Sequence, residues 1–277
     1  MRILLPESLE EALAALADAD EPLVPIAGGT DLLVHWPQRP EDRDRAYLDL
    51  SGLEELRPLE WRDDELVLGG LTTYWDVITD ERATRELPLL AAAGRQVGAI
   101  QIQSRGTWAG NVVNASPAAD GVPVLMAYDA SLVLASRDGT EEVPLAEFYR
   151  GYKDLRMRPD QLIRSIRIPR RAHDVEVFEK VGSRRAQAIT KVGFAAARSA
   201  DGWRVAANSV APFVCRCPTV EELLEGARPV GGPGDLLEAL RSDVAPIDDI
   251  RSTAAYRERV LARILFHALR PHCSSFE

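Results

Sequence analysis

Cysteine is scarce in this chain: only Cys215, Cys217 and Cys273 occur among 277 residues. An odd count without framework spacing excludes a disulfide scaffold and points to a reducing compartment. The Cys-x-Cys spacing of the first two fits neither the usual zinc nor the usual iron–sulfur pattern. All three are therefore expected to be structural or incidental. Histidine is equally sparse, and His35, His173, His267 and His272 are scattered without metal-ligand spacing. No run of 18 apolar residues occurs, so no membrane-spanning helix is expected. The first residues acquire carboxylates before any apolar stretch reaches signal-peptide length, which makes the cytoplasm the expected location. Positive charge is also short: 33 Lys and Arg face 43 Asp and Glu, a net charge of −10. That balance repels polyanions, so neither nucleic acid nor an anionic membrane is an expected partner. Missing as well are a Gly-x-x-x-x-Gly-Lys-Ser/Thr phosphate loop, a Gly-x-Gly-x-x-Gly fingerprint and a Gly-x-Ser-x-Gly nucleophile elbow. There is no internal repeat and no low-complexity segment.

What is present is a globular composition with 46% hydrophobic residues, at a length that suits one large or two modest domains. Ser8 and Glu11 form a capping-box pattern that opens a helix to about Leu16. Leu23–Ala27 has the character of a short buried strand, and Leu32–Val34 of a helical piece stopped by Pro37. Strands are expected at Tyr47–Leu50 and Glu65–Leu68, followed by a tight turn at Gly69-Gly70. Thr72 or Thr73 caps a helix to about Thr79, and Pro88 begins another to about Val97. The stretch from Gln101 to Asp120 is rich in Gln, Ser, Thr, Asn and Gly, and its polarity predicts a long ordered loop, a type that is usually functional. A helix at Val122–Tyr128 and strands at Ser131–Ser136 and Leu162–Ile168 follow, with a domain boundary near 168–173. Beyond it lie strands at about Asp174–Val181, Val192–Ser199 and Trp203–Val210, the last two joined at Asp201-Gly202. Helices close the chain at about Val220–Glu225 and Ser252–Leu269.

Two segments carry binding chemistry. In Ala27-Gly28-Gly29-Thr30-Asp31 a strand runs into paired glycines, which let backbone amides converge on phosphate oxygens without Cβ clashes. A plain strand–turn–helix with Asp31 as a cap is the alternative. In Ser104-Arg-Gly-Thr-Trp-Ala-Gly-Asn111, Thr107 and Asn111 offer side-chain hydrogen bonds beside further glycines. Asp120 either bonds a cofactor hydroxyl or ring nitrogen, or marks a helix start. Together the two loops could clamp a diphosphate. A branched side chain at Gly28 or Gly110 is then expected to exclude it while leaving the fold largely intact. Arg184 and Arg185, beside Lys180, have the character of a solvated strand end, although a lysine near a cofactor remains open.

Those residues resemble the FAD subunits of the molybdenum hydroxylases, such as carbon monoxide and xanthine dehydrogenases. Pro25-Ile-Ala-Gly-Gly-Thr-Asp-Leu32 is similar to the family's first flavin-binding segment. Thr107-Trp-Ala-Gly-Asn111 with Ala115-Ser-Pro-Ala-Ala-Asp120 is similar to the second. Pro159–Pro169 resembles the strand where the flavin domain ends, Lys180–Arg185 with Ile189–Val192 the lysine-bearing strand, and Asp248–Arg257 the start of the closing helix. The resemblance implies an α+β fold: a two-lobed FAD-binding domain of the vanillyl-alcohol-oxidase (PCMH) type over residues 1–168. A small α+β C-terminal domain with a three-stranded sheet and helices would follow over 169–277. It implies FAD contacts from Pro25, Ile26, Ala27, Gly28, Gly29, Thr30, Asp31, Leu32, Thr107, Trp108, Ala109, Gly110 and Asn111, with Asp120, Ile163 and Lys180 near the flavin. No side chain would be catalytic and no metal would bind this chain. FAD would pass electrons on to NAD, oxygen or another small-molecule acceptor. They would arrive from two 2Fe-2S clusters on a small subunit, next to a large molybdopterin subunit, in a heterotrimer. The chain departs from the pattern at Ala109, where glycine is usual, and at Val97, where some relatives carry an aromatic. It also lacks the cysteine-rich insert of benzoyl-CoA-reductase-like relatives. A stand-alone flavin oxidase or reductase and a flavin-free assembly module are the competing expectations.

Overall fold

The computed structural model describes residues 2–35, 45–226, 229–273 and 276; the expected stop at Pro37 lies outside them. The first lobe comprises β1 (Arg2–Leu4), α1 (Leu9–Ala17), β2 (Leu23–Ile26), α2 (Leu32–His35) and β3 (Ala46–Asp49). Its strands make a parallel sheet in the order β1-β3-β2. Ser8 caps α1, its Oγ accepting the Glu11 N–H, while the Glu11 carboxylate accepts from the Glu7 N–H instead of closing the box on Ser8. Leu9, Ala12, Leu13 and Leu16 recur at helical spacing and bury against Leu48, Leu50, Leu53 and Leu162.

The second lobe begins with β4 (Leu59–Trp61) and β5 (Glu65–Gly69). Six helices follow: α3 (Tyr74–Thr79), α4 (Glu81–Glu86), α5 (Pro88–Gly94), α6 (Ile100–Gln103), α7 (Trp108–Asn114) and α8 (Gly121–Ala127). It ends with β6 (Ser131–Ser136), β7 (Gly139–Pro144), β8 (Tyr149–Gly151), β9 (Asp154–Leu155) and β10 (Leu162–Pro169). The order β4-β5-β10-β6-β7 makes an antiparallel sheet. Leu66, Leu68, Leu132, Leu134, Ile166 and Ile168 line the face under the helices. On the opposite face Arg167 spans two strands to Glu65 and Glu142, as period-two alternation requires. Half of the polar stretch expected as a loop is thus helical, in α6 and α7. Its helical signal is a short apolar stripe, Trp108 and Val112, behind the N-cap Thr107.

The last part carries β11 (Val175–Val181), β12 (Val192–Ser199), β13 (Gly202–Asn208), β14 (Cys215–Arg216), α9 (Pro218–Glu225), α10 (Pro233–Asp243) and α11 (Ala254–Leu269). Its sheet has four strands, β11-β12-β13-β14, rather than the expected three, because Cys215 and Arg216 pair with Ala207 and Ala206. Both faces are covered. Phe194, Ala196 and Val205 pack with Leu261 and Leu265 of α11. Ala195, Ala197 and Ala206 belong to the same core as Leu66 and Trp108. Alanine on that face lets α8 lie close against the strands.

Candidate functional site

The site forms where the end of β2 meets the segment before α7. Beyond Ile26 the chain turns through Ala27–Asp31, and Gly29 takes a left-handed φ of 69°, which glycine adopts freely. Gly28 is needed for another reason: a Cβ there would lie 1.7 Å from the Arg105 carbonyl oxygen. The two loops therefore touch backbone to backbone. Arg105 Nε donates to the Gly28 carbonyl at 3.3 Å, and Asn114 Nδ2 donates to Asp31 Oδ1 at 2.9 Å.

The second loop is held from the other side by α3. Tyr74 N donates to the Gly106 carbonyl and Trp108 N to the Thr72 carbonyl, each at 3.1 Å. Thr73 and Asp76 close a capping box on α3. Thr107 caps α7, its Oγ1 accepting the Gly110 N–H at 2.9 Å.

Two cavities flank this clasp. One, of about 570 Å³, is lined by all of Pro25, Ile26, Ala27, Gly28, Gly29, Thr30, Asp31 and Leu32, with Tyr74, Val97, Thr107, Gly110 and Asn111 opposite. The other, of about 630 Å³, is mainly apolar and is bordered by Pro25, Ala27, Ala109, Gly110, Val113, Met157 and Ile163. Pro25, Ala27, Gly110 and Val113 border both, so the two cavities are neighbours that share this wall.

Trp108, expected to contact FAD, lines neither cavity. Its indole is fully buried against Tyr74, with ring centroids 4.8 Å apart, and its backbone N–H is used by Thr72. The backbone N–H is therefore not left for a ligand, whereas the indole Nε1 is buried without a hydrogen-bond partner. Ile163 borders the apolar cavity.

Asp120 and Lys180 do come together, in a buried ion pair with Nζ to Oδ2 at 2.6 Å. The other carboxylate oxygen accepts from Thr190 Oγ1 at 2.5 Å, and Lys180 Nζ also donates to the Gln96 carbonyl at 3.0 Å. Burial raises the Asp120 carboxyl above its ordinary range, against the opposing pull of Lys180. Lys180 therefore does not share a solvated strand end with Arg184 and Arg185. The β11 strand carries it 60 residues along the chain to Asp120. Thr190 and Tyr74 were not among the expected site residues. Thr190, a lone hydroxyl between Ile189 and Lys191 at the entry to β12, carries only a weak local signal.

The chemistry of the lining suits a long nucleotide cofactor. Converging glycine backbone flanks the middle, apolar walls lie on one side and hydroxyl and amide groups on the other. Tyr74 Oη and Asn111 Oδ1 are buried without any hydrogen-bond partner, an uncommon condition. Among the described residues no group of three His, Cys, Asp or Glu could hold a metal ion. Among them, too, no helix is long and apolar enough to cross a membrane.

Comparison with known proteins agrees with this chemistry. The family described as the FAD binding domain in molybdopterin dehydrogenase matches residues 1–171, and the CO dehydrogenase flavoprotein C-terminal domain matches residues 178–271. The chain is 32% identical over 273 residues to the caffeine dehydrogenase subunit beta of Pseudomonas sp. (strain CBB1), covering 95% of this chain and 92% of that one. It is 30% identical over 264 residues to the putative xanthine dehydrogenase FAD-binding subunit of Escherichia coli, covering 90% and 88%. In structure it superposes on a chain of the carbon monoxide dehydrogenase from Hydrogenophaga pseudoflava with a TM-score of 0.87 at 24% identity, covering 99% and 98%.

Proposed function

Because the chain belongs to the FAD-binding subunits of the molybdopterin dehydrogenases, we propose that it is the electron-output subunit of a molybdenum hydroxylase complex. Electrons would reach it from two 2Fe-2S clusters on a small partner subunit beside a large molybdopterin subunit. They would leave for NAD, oxygen or another small-molecule acceptor, in the cytoplasm. We divide the chain at about residue 168 into the FAD-binding domain and the C-terminal domain.

The observation that carries this reading is the backbone clasp between Gly28 and Arg105 with a cavity on each side. FAD supplies the redox chemistry when bound. The protein's residues bind and orient it. Pro25–Leu32 with Thr107, Gly110 and Asn111 face the diphosphate region, where backbone amides and a threonine hydroxyl suit anionic oxygens. Ala109 and Ile163 border the apolar cavity, which suits a flat adenine. Asp120 and Lys180, tied together behind Gln96 and Thr190, fix the backbone at the flavin end. Trp108 contributes by packing behind Tyr74. The flavin-free alternative gains no support from Ala109, which borders an open apolar cavity.

The test is an absorbance spectrum of the purified chain, followed by chromatography of the cofactor released by acid. A two-band flavin spectrum with FAD released, bleached by a reductant, is expected. A colourless chain that also refuses added FAD, alone and with its partner subunits, would defeat the reading.

A further inference from the structure

On the reading that FAD occupies the clasped cleft, we infer that Tyr74 is a positioning residue of the cofactor site. Its hydroxyl holds the Asn111 carboxamide so that the amide NH2 faces an acceptor oxygen of the ligand.

Tyr74 Oη and Asn111 Oδ1 are both buried, and neither has a hydrogen-bond partner. One is a donor and the other an acceptor, so they are matched to each other. They also border one small space. A Cβ built on Gly121 would meet Asn111 Oδ1 at 3.0 Å, the Trp108 ring at 3.1 Å and Tyr74 Oη at 3.2 Å. Gly121, the first residue of α8, keeps that space clear for the two polar atoms.

The two partners differ in freedom. The Tyr74 ring is wedged against Trp108, its backbone is bonded to Gly106, and α3 is capped immediately before it. Asn111 stands on α7, lines the cavity and has an Oδ1 that accepts no hydrogen bond. Burial, with smaller contributions from Asp120 and Tyr149, pushes the Tyr74 phenol far above its ordinary range, so it remains a donor. Once Oδ1 is held by that donor, the two N–H groups of Asn111 are left for the cleft. An amide held this way can serve only acceptors, and FAD presents acceptors along its diphosphate and ribityl chain.

The experiment titrates FAD into the full chain and into Tyr74→Phe, Asn111→Ala and the double variant, and records the melting temperature of each without FAD. Tyr74→Phe should weaken FAD binding about tenfold, the loss of one hydrogen-bond contribution. Its FAD-free melting temperature should be unchanged or higher, because the hydroxyl it removes has no partner there. In the Asn111→Ala background the same change should have no further effect on affinity. Wild-type affinity in Tyr74→Phe overturns the inference. So does an equal loss with and without Asn111, or a fall in FAD-free melting temperature that accounts for the loss. A wild-type chain that takes up no FAD, even with its partner subunits, overturns the cofactor reading itself, and that result is visible before any variant is made.

Discussion

One methyl group distinguishes the two glycines of the clasp. At Gly28 it would meet the Arg105 carbonyl oxygen at 1.7 Å, an atom of a loop that α3 and α7 both fix. Backbone would have to move, so Gly28→Ala should destabilise the chain by about 3 kcal/mol or more and open the clasp. At Gly110 the only close atom is Thr107 Oγ1 at 2.7 Å, a side-chain hydroxyl that can rotate away. Losing that cap removes about 1 kcal/mol, while alanine within a helix returns about the same. Gly110→Ala should therefore unfold in urea near the wild-type midpoint yet bind FAD more weakly, since its methyl enters the cleft. Equal losses of stability in both variants would contradict this distinction. The expectation that substitution at Gly28 spares the fold is revised on the same ground. From sequence, paired glycines announce close approach, but not whether a ligand or the protein's own backbone makes it. Asp120 and Lys180 show the same limit: nothing near either residue names the other, and only the family resemblance placed both at one site.

Among the elements, those with long periodic patterns or clear caps were legible. α1 has Ser8 and four apolar positions, α3 has Thr73 and Asp76, and β12 is a run of small and apolar residues. α7 was hidden because its exposed positions are polar and its buried stripe is only a few residues wide. α10 lies outside the helices expected from sequence, although Pro233 at its start and Leu236 and Leu240 at i and i+4 are ordinary helix signals. α11 was legible, but its anchor was not. Arg257, buried on α11, donates to Asp249 Oδ1 at 2.6 Å and to the Ser209 carbonyl at 2.7 Å, while Arg251 grips the other Asp249 oxygen. Burial works to raise the Asp249 carboxyl, but hydrogen bonds from Arg251 and Arg257 outweigh it and hold the group well below the usual carboxylate range. A depressed carboxylate contributes stability that is complete above the unfolded value near 3.8. That contribution is lost as pH falls towards the folded value, because the unfolded chain takes the proton first. Asp249→Asn should lower stability at neutral pH by about 2 kcal/mol. Urea midpoints measured from pH 7 down to pH 3 should then fall less steeply in the variant than in the wild type. Parallel curves would show that Asp249 does not titrate with unfolding.

At the scale of the whole molecule, the C-terminal sheet is locked to the second lobe at one carboxylate. Asp129 follows α8 with a left-handed φ of 53°. It accepts hydrogen bonds from Arg171 just after β10, Arg204 on β13 and Arg216 on β14. Arg216 extends the grip to Glu221 of α9, and beside it Tyr128 Oη meets Glu176 of β11 at 2.5 Å. Below these polar ties, Ala195, Ala197 and Ala206 share one apolar core with the helices of the second lobe. That docking also carries Lys180 and Thr190 to Asp120, so this buried polar cluster exists only while the two parts are joined. Asp129→Asn keeps a residue that tolerates the left-handed backbone but removes the charge shared by three arginines. A loss of about 2 kcal/mol is expected, with roughly a further 1 kcal/mol for Asp129→Ala from backbone strain. Because the apolar core crosses the junction, the wild type should unfold in a single calorimetric transition, and Asp129→Asn should do so at a lower temperature. Two separated transitions in the wild type would mean that the halves are independently stable and that the shared core is a weaker coupling than its burial implies. One transition, with FAD retention falling in step with stability in Asp129→Asn, would tie the cofactor's hold to the junction.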